Sequence, residues 1–353
     1  MAVFGCTRCG AELTVPVSRV ALPDHAHQAY GHELLPALME SGTYAVEPEP
    51  SGPPWRQWSD IGAQESLARG VFAPVPALSF GSPGAVVVAP GDMRGTVLLP
   101  ERCEGYCLGL DGRSGPNLAC ARCGQAVATR VDDCTLWQAV WLDPDAVHPL
   151  TADAPARPAD WAALGREFEA IPPVEQGGWW DPRWEAALGA ALAHLLAASA
   201  GTPVCVPDGL LAETLGRALD LLLPQARSPR KTAALAGPGL PVPDADPDIV
   251  LAPRHPRTGE VWQAPPGVTH TVPVPAGVWL HLARRPARLP TPTTGRLPDG
   301  VERDDPLPLR PRSLFRPDPR ILLRTLARLP AVREPWLRAI YDRVDKYPYS
   351  RPF

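Results

Sequence analysis

Lysine is almost missing from this chain. Only Lys231 and Lys346 occur among 353 residues, and arginine supplies the rest of the 34 basic side chains. With a formal net charge of −4, the chain lacks the positive balance by which a nucleic-acid-binding protein neutralises phosphates, so that class is disfavoured. Arginine in place of lysine, with abundant Ala, Pro and Gly, points to a GC-rich bacterial coding sequence and says nothing of chemistry. Long hydrophobic runs are missing too. The most apolar stretch, Ala186 to Ala200, is 15 residues long and contains His194, short of the roughly 20 that span a bilayer. Residues Met1 to Gly10 carry neither a basic start nor an apolar export core. A cytoplasmic protein with no membrane partner is expected.

Catalytic signatures are also lacking. The chain holds no phosphate-cradling Walker loop, no G-x-G-x-x-G after a strand, no H-E-x-x-H helix, no G-x-S-x-G elbow and no deaminase H-x-E with P-C-x-x-C. A binding protein is therefore expected ahead of an enzyme. Proline and glycine are plentiful, at 47 and 30 residues, so long regular elements must be few. Yet 45% apolar against 20% charged residues excludes a disordered chain, and the length allows two or three domains.

The pattern along the chain predicts an α+β protein: a loop-rich β domain over 1–150, then a helical region over 159–224. A small Pro-rich β segment over 225–290 and a basic, Arg-rich helical tail over 291–353 complete it. The β-rich runs at Gly84–Pro90 and Thr96–Pro100, around Gly91-Asp-Met-Arg-Gly95, predict a hairpin. Asp133 or Thr135 is read as the cap of a helix over Leu136–Trp141. Asp181 before Pro182 caps a helix over Arg183–Ala200, stopped by Gly201 and Pro203. Asp208 opens a second helix to Leu223, with Leu211, Leu215, Leu219 and Leu222 on one face; the two helices are expected to pair. Ile249–Ala252, Glu260–Gln263 and Val278–Leu282 read as strands. Pro319 and Pro335 open two final helices, near Arg320–Leu329 and Trp336–Lys346. From Arg284 onward 16 basic and 8 acidic residues give a net +8, a tail expected to fold against an acidic body.

Eight cysteines with no export signal read as metal ligands or buried thiols rather than disulfides. Cys103 and Cys107 form a C-x3-C pair, and Cys120 and Cys123 a C-x2-C pair, with twelve residues between the two pairs. Two thiolate pairs on tight turns suit a tetrahedral Zn²⁺, and local closure by Cys103, Cys107, Cys120 and Cys123 is the favoured arrangement. Cys6-Thr-Arg-Cys9-Gly10 repeats the C-x-R-C-G pattern of Cys120-Ala-Arg-Cys123-Gly124. Cys6 and Cys9 then recruit His25 and His27, with His32 also near. In the alternative the two C-x-R-C-G segments share one zinc, leaving Cys103 and Cys107 with Cys134 as a spare ligand. Cys205, in an apolar run, is expected in the core.

On these C-x-R-C-G segments the chain resembles zinc-ribbon and zinc-knuckle proteins in general, over about 40 residues; the resemblance implies metal binding and no particular activity. Gly259 to His270, with Pro265 and Gly267, partly resembles the second motif of the cupins, with Ala276–His281 as the next strand. Trp55 and Trp58 around Arg56, and Trp179-Trp180, are read as core fillers ahead of a recognition surface. Arg320, Arg324 and Arg328 share a helix face, expected to be solvated. The resulting expectation is a cytoplasmic, zinc-stabilised interaction or regulatory protein with a protein partner. The alternatives are a hydrolase-type zinc enzyme with an open Cys/His site, or a nucleic-acid-binding zinc ribbon.

Overall fold

The computed structural model describes residues 1–29, 35–47, 49–50, 52–103, 109–151, 158–175, 178–224, 230–241, 247–264, 267–284, 311 and 313–346. The fold is α+β and divides into two compact units. The first comprises Met1–Ala159 with Pro256–Gly259, the second Asp160–His255 with Glu260–Phe353.

The first unit carries strands β1 (Val3–Cys6), β2 (Ser18–Arg19), β3 (Thr43–Val46), β4 (Trp55–Gln57), β5 (Ala77–Ser79), β6 (Val86–Val88), β7 (Thr96–Leu98), β8 (Leu118–Cys120), β9 (Ala126–Val131), β10 (Ala139–Leu142) and β11 (Val147–Thr151), with helix α1 (Ala63–Ala68). Seven of them form one sheet in the order β2-β3-β6-β10-β9-β8-β7, while β1 pairs with β11 and β4 with β5. Side chains alternate across a strand, and both faces of this sheet are covered. Val86, Val88, Val140 and Leu142 pack on one side with Phe4, Leu13 and Tyr44. Val87, Ala139 and Trp141 pack on the other with Leu38, Met39 and Trp137. Double-sided burial explains why these strands read as unbroken apolar runs, each fully buried Val or Leu contributing about 1.5–3 kcal/mol.

Two expectations in this unit are corrected. The hairpin expected over 84–100 does not form: β6 pairs with β3 and β10, and β7 with β8. The intervening Asp92 is buried, accepting hydrogen bonds from Ser41 Oγ at 2.7 Å and the Gly42 amide at 2.8 Å, which pulls the turn into the interior. Nor is there a helix over Leu136–Trp141. Asp133 caps only a turn, accepting from the Thr135 amide and hydroxyl. The alternating Ala139-Val-Trp-Leu run is taken by β10, whose two faces serve two cores.

The second unit holds α2 (Leu164–Glu167), α3 (Pro182–Ser199), β12 (Val204–Cys205), α4 (Arg217–Leu222), β13 (Lys231–Leu235), β14 (Ile249–Arg254), β15 (His270–Pro275), α5 (Ala276–Arg284), α6 (Pro319–Arg328) and α7 (Pro335–Asp345). Its four strands form a wholly parallel sheet in chain order. The expected cap at Asp181 and the expected start at Pro319 hold, while Asp208 lies in a turn ahead of the helix that begins at Leu210. Asp181 accepts from the Arg183 amide, and Asp318 from those of Arg320 and Ile321. Helix α3 is buried nearly all round, as its Ala/Leu content requires. At Gly189 an added Cβ would lie 2.6 Å from the Asp318 carbonyl oxygen, so glycine permits the close approach of α6. Leu211, Leu215, Leu219 and Leu222 are buried as one stripe, with a π turn at Ala212–Gly216 leading into α4.

Here too the structure corrects the sequence. Val278–Leu282 lies in α5, not a strand, and Glu260–Gln263 contributes only an isolated bridge between Val261 and Arg254. Cys205 is exposed on the two-residue edge strand β12 rather than buried. The cupin resemblance does not extend to the fold, because β14 and β15 run parallel whereas cupins are antiparallel jelly rolls. His270 is exposed at the start of β15, and Pro265 lies outside the described residues. Arg320, Arg324 and Arg328 are half-buried. Trp180 is buried, its Nε1 donating to the Ser313 carbonyl at 2.9 Å, whereas Trp179 is 56% exposed. Trp55 and Trp58 are half-buried. Among the described residues no helix is long and apolar enough to cross a membrane.

Candidate metal centre

Each C-x-R-C-G segment is the turn of a hairpin, and the two turns are built alike. In the first, the Cys6 amide donates to the Ala11 carbonyl at 2.9 Å and the Gly10 amide to the Cys6 carbonyl at 2.9 Å. In the second, the Cys120 amide donates to Gln125 at 2.8 Å and the Gly124 amide to Cys120 at 2.9 Å. Gly10 and Gly124 sit at φ of +69° and +74° with open space where a Cβ would stand. Glycine is needed there for backbone conformation, not for room. The first hairpin continues β1 into Glu12–Val17, and the second joins β8 to β9.

The segment Met93-Arg94-Gly95 holds the two hairpins side by side. The Arg94 amide donates to the Leu13 carbonyl and the Gly95 carbonyl accepts from Ala121, both at 2.8 Å. Gly95 has φ +54°, and a Cβ there would stand 3.0 Å from the Glu12 carbonyl oxygen. The residues that read as a hairpin turn are thus the spacer between two knuckles.

This brings Cys6, Cys9, Cys120 and Cys123 together, with all four sulfurs within 4.8 Å of one another. Cys6 Sγ lies 3.6 Å from Cys123 Sγ, and Cys9 Sγ 3.6 Å from Cys120 Sγ. Four sulfurs about 2.3 Å from a central ion stand about 3.8 Å apart at the corners of a tetrahedron, so the cluster can hold one metal ion. Cys6 and Cys120 are buried in the core beside Leu118 and Val147, while Cys9 and Cys123 are half-buried at its rim.

Local hydrogen bonds favour a thiolate at Cys120 and disfavour one at Cys123. Burial pushes the Cys120 thiol up, but hydrogen bonds from the Arg122 and Cys123 backbone and from the Cys9 and Cys123 side chains outweigh it, bringing the group down to about 7. The Gln125 backbone lowers Cys123, yet burial and the three neighbouring thiols push it up to about 11. Several sulfurs so close cannot all be anionic without a cation among them.

Gln125 and Thr7 brace the site, and neither stood out in the sequence. Cys6 Sγ donates to Gln125 Oε1 at 3.5 Å, Gln125 Nε2 to Thr7 Oγ1 at 3.2 Å, and Thr7 Oγ1 to the Ala146 carbonyl at 3.1 Å. The other expected ligands are placed elsewhere. Cys103 is outside the four-sulfur group and its thiol donates to the Leu99 carbonyl at 3.3 Å; Cys107 lies outside the described residues. His25 packs on Trp137, ring centres 4.5 Å apart, and His27 faces buried Glu47 at 3.8 Å. His32 is likewise outside the described residues. The pairing of Cys120 and Cys123 with Cys6 and Cys9 therefore replaces the local closure by Cys103 and Cys107, because β7, β8 and the Gly95 spacer direct the second knuckle at the first. Comparison of the whole chain with protein families, curated proteins and solved structures finds no match in any of the three.

Proposed function

We propose that Cys6, Cys9, Cys120 and Cys123 bind one structural zinc ion and that the protein is a zinc-stabilised interaction or regulatory protein. The observation that carries this reading is the closed set of four sulfurs on two knuckles. Four soft thiolates at tetrahedral spacing select zinc among common divalent ions, and a four-protein-ligand site leaves no position for water or substrate. The hydrolase-type alternative needs an open Cys/His site, and His25 and His27 are engaged with Trp137 and Glu47. Thiolates kept for metal fit a reducing compartment, which supports the cytoplasm. A protein partner suits the acidic balance of the chain better than nucleic acid does.

Metal analysis of the purified full chain tests this. One zinc per chain is expected, and a cobalt-substituted sample should show the intense sulfur-to-metal bands of a four-thiolate tetrahedral site. An exchangeable coordinated water would overturn the reading in favour of the enzyme, iron in place of zinc would overturn the metal assignment, and a metal-free protein would overturn both.

A further inference from the structure

Two short sulfur contacts of the centre run between knuckles. Cys6 meets Cys123, 117 positions away, and Cys9 meets Cys120, 111 positions away, each at 3.6 Å. Each cross pair joins one half-buried sulfur, on Cys9 or Cys123, to one buried sulfur, on Cys120 or Cys6. The accessible member can meet an oxidant, and the sheltered member is already in reach of it. Oxidation of a thiolate site follows nucleophilicity, exposure and the nearness of a second sulfur.

We propose that the centre is a site of oxidative modification in which peroxide replaces the metal cross-link by two cross-knuckle disulfides, Cys6–Cys123 and Cys9–Cys120. This rests on the metal-binding reading above. A thiolate of Cys9 or Cys123 attacks one oxygen of hydrogen peroxide; the O–O bond breaks, hydroxide leaves, and a sulfenic acid forms. The buried thiolate opposite attacks that sulfur, expels hydroxide and closes the S–S bond. Each disulfide gives two electrons to one peroxide, and the two hydroxides take up two protons to leave as water. With both pairs oxidised, no thiolate remains and the divalent ion departs.

The consequence is specific. Pairing within knuckles would unlatch Cys6–Cys9 from Cys120–Cys123 once the metal leaves, whereas cross-knuckle pairing keeps the two hairpins joined. The site then works as a latch that stays closed while its metal is discharged, so oxidation releases zinc without detaching the amino-terminal strand.

The test treats the zinc-loaded full chain with hydrogen peroxide, follows released zinc with a chromogenic chelator, and maps disulfides by non-reducing peptide mass spectrometry. Zinc release together with Cys6–Cys123 and Cys9–Cys120 linkages is expected. Cys6–Cys9 with Cys120–Cys123, or sulfinic and sulfonic acids without disulfides, would overturn the proposal. The reading beneath it fails separately: a chain purified without zinc that still gives the cross-knuckle map refutes the metal and keeps the pairing. A double variant adds a second readout. Cys6→Ser with Cys123→Ser leaves the cross pair Cys9–Cys120. This variant, whose remaining sulfurs start 3.6 Å apart, should form its disulfide under peroxide while folded; a folded variant that goes to sulfinic or sulfonic acid without that disulfide would overturn the pairing rule.

Discussion

At the scale of single residues, the candidate metal centre depends on glycines and an amide as much as on cysteines. Gly124→Ala meets no atom within 4 Å but must hold φ near +74°, which costs an L-residue about 1–2 kcal/mol. Thermal unfolding should show that loss while metal stoichiometry stays unchanged. Gly95→Ala should cost more, since it adds a 3.0 Å approach to the Glu12 carbonyl to the same backbone strain. Gln125→Ala removes the bridge between Cys6 and Thr7. Groups that orient metal ligands are typically worth about 10–100-fold in metal affinity, and competition against a chelator of known affinity should find a loss in that range with all four thiolates still bound. Cys120→Ser removes a ligand outright, and both the metal and the stability it supplies should go with it.

At the scale of elements, the second unit turns on the approach of α6 to α3. Alanine normally gains about 1 kcal/mol over glycine inside a helix. At Gly189 that gain is opposed by a Cβ placed 2.6 Å from the Asp318 carbonyl, and overpacking of this kind costs about 1–3 kcal/mol. Gly189→Ala should therefore destabilise, measured as a lower midpoint in urea. Asp318→Ala should cost about 1 kcal/mol of stability through the lost cap on α6, read from the same urea curves. A chain ending at Pro311 would lose Leu322, Leu323, Leu326 and Leu337, all buried in α6 and α7. It should bare the apolar surface of α3 and aggregate, which light scattering would detect.

At the scale of the whole molecule, a metal ion held by the four cysteines would close a loop of more than 100 residues. A single cross-link over such a span removes chain entropy worth roughly 4–5 kcal/mol. A strong chelator should lower the unfolding midpoint of the first unit and leave that of the second unchanged. The pH dependence follows from the thiols. A bound metal ion would hold its ligands as thiolates, whereas unfolded thiols keep their protons up to about 8.5, so the unfolded chain would bind more protons than the loaded one. Stability from the metal is then full above that value and is lost as pH falls, with protons displacing the ion. Zinc release on acidification, with metal affinity unchanged or rising towards pH 8, is expected; release on raising the pH instead would contradict thiolate ligation.

Much of this was legible in one dimension because its causes are local. Asp-Pro at 181–182 and 318–319 pre-sets a helix start, Gly201 and Pro203 stop one, and C-x-R-C-G closes a knuckle whatever surrounds it. What sequence could not decide is which knuckle faces which. Cys103 is nearer to Cys120 along the chain than Cys6 is, yet strand pairing of β7 with β8 and the Met93–Gly95 spacer turns Cys120 and Cys123 towards Cys6 and Cys9. The same holds for Val278–Leu282, an apolar run whose length fits strand or helix and which becomes α5 because it follows a parallel strand and must pack back on the sheet. The sequence by itself determined the ligand chemistry and the local turns, since these depend on residue type and near neighbours. The tertiary structure alone decided the partners, since long-range sheet register brings together sulfurs more than 100 positions apart, and no local spacing encodes that register.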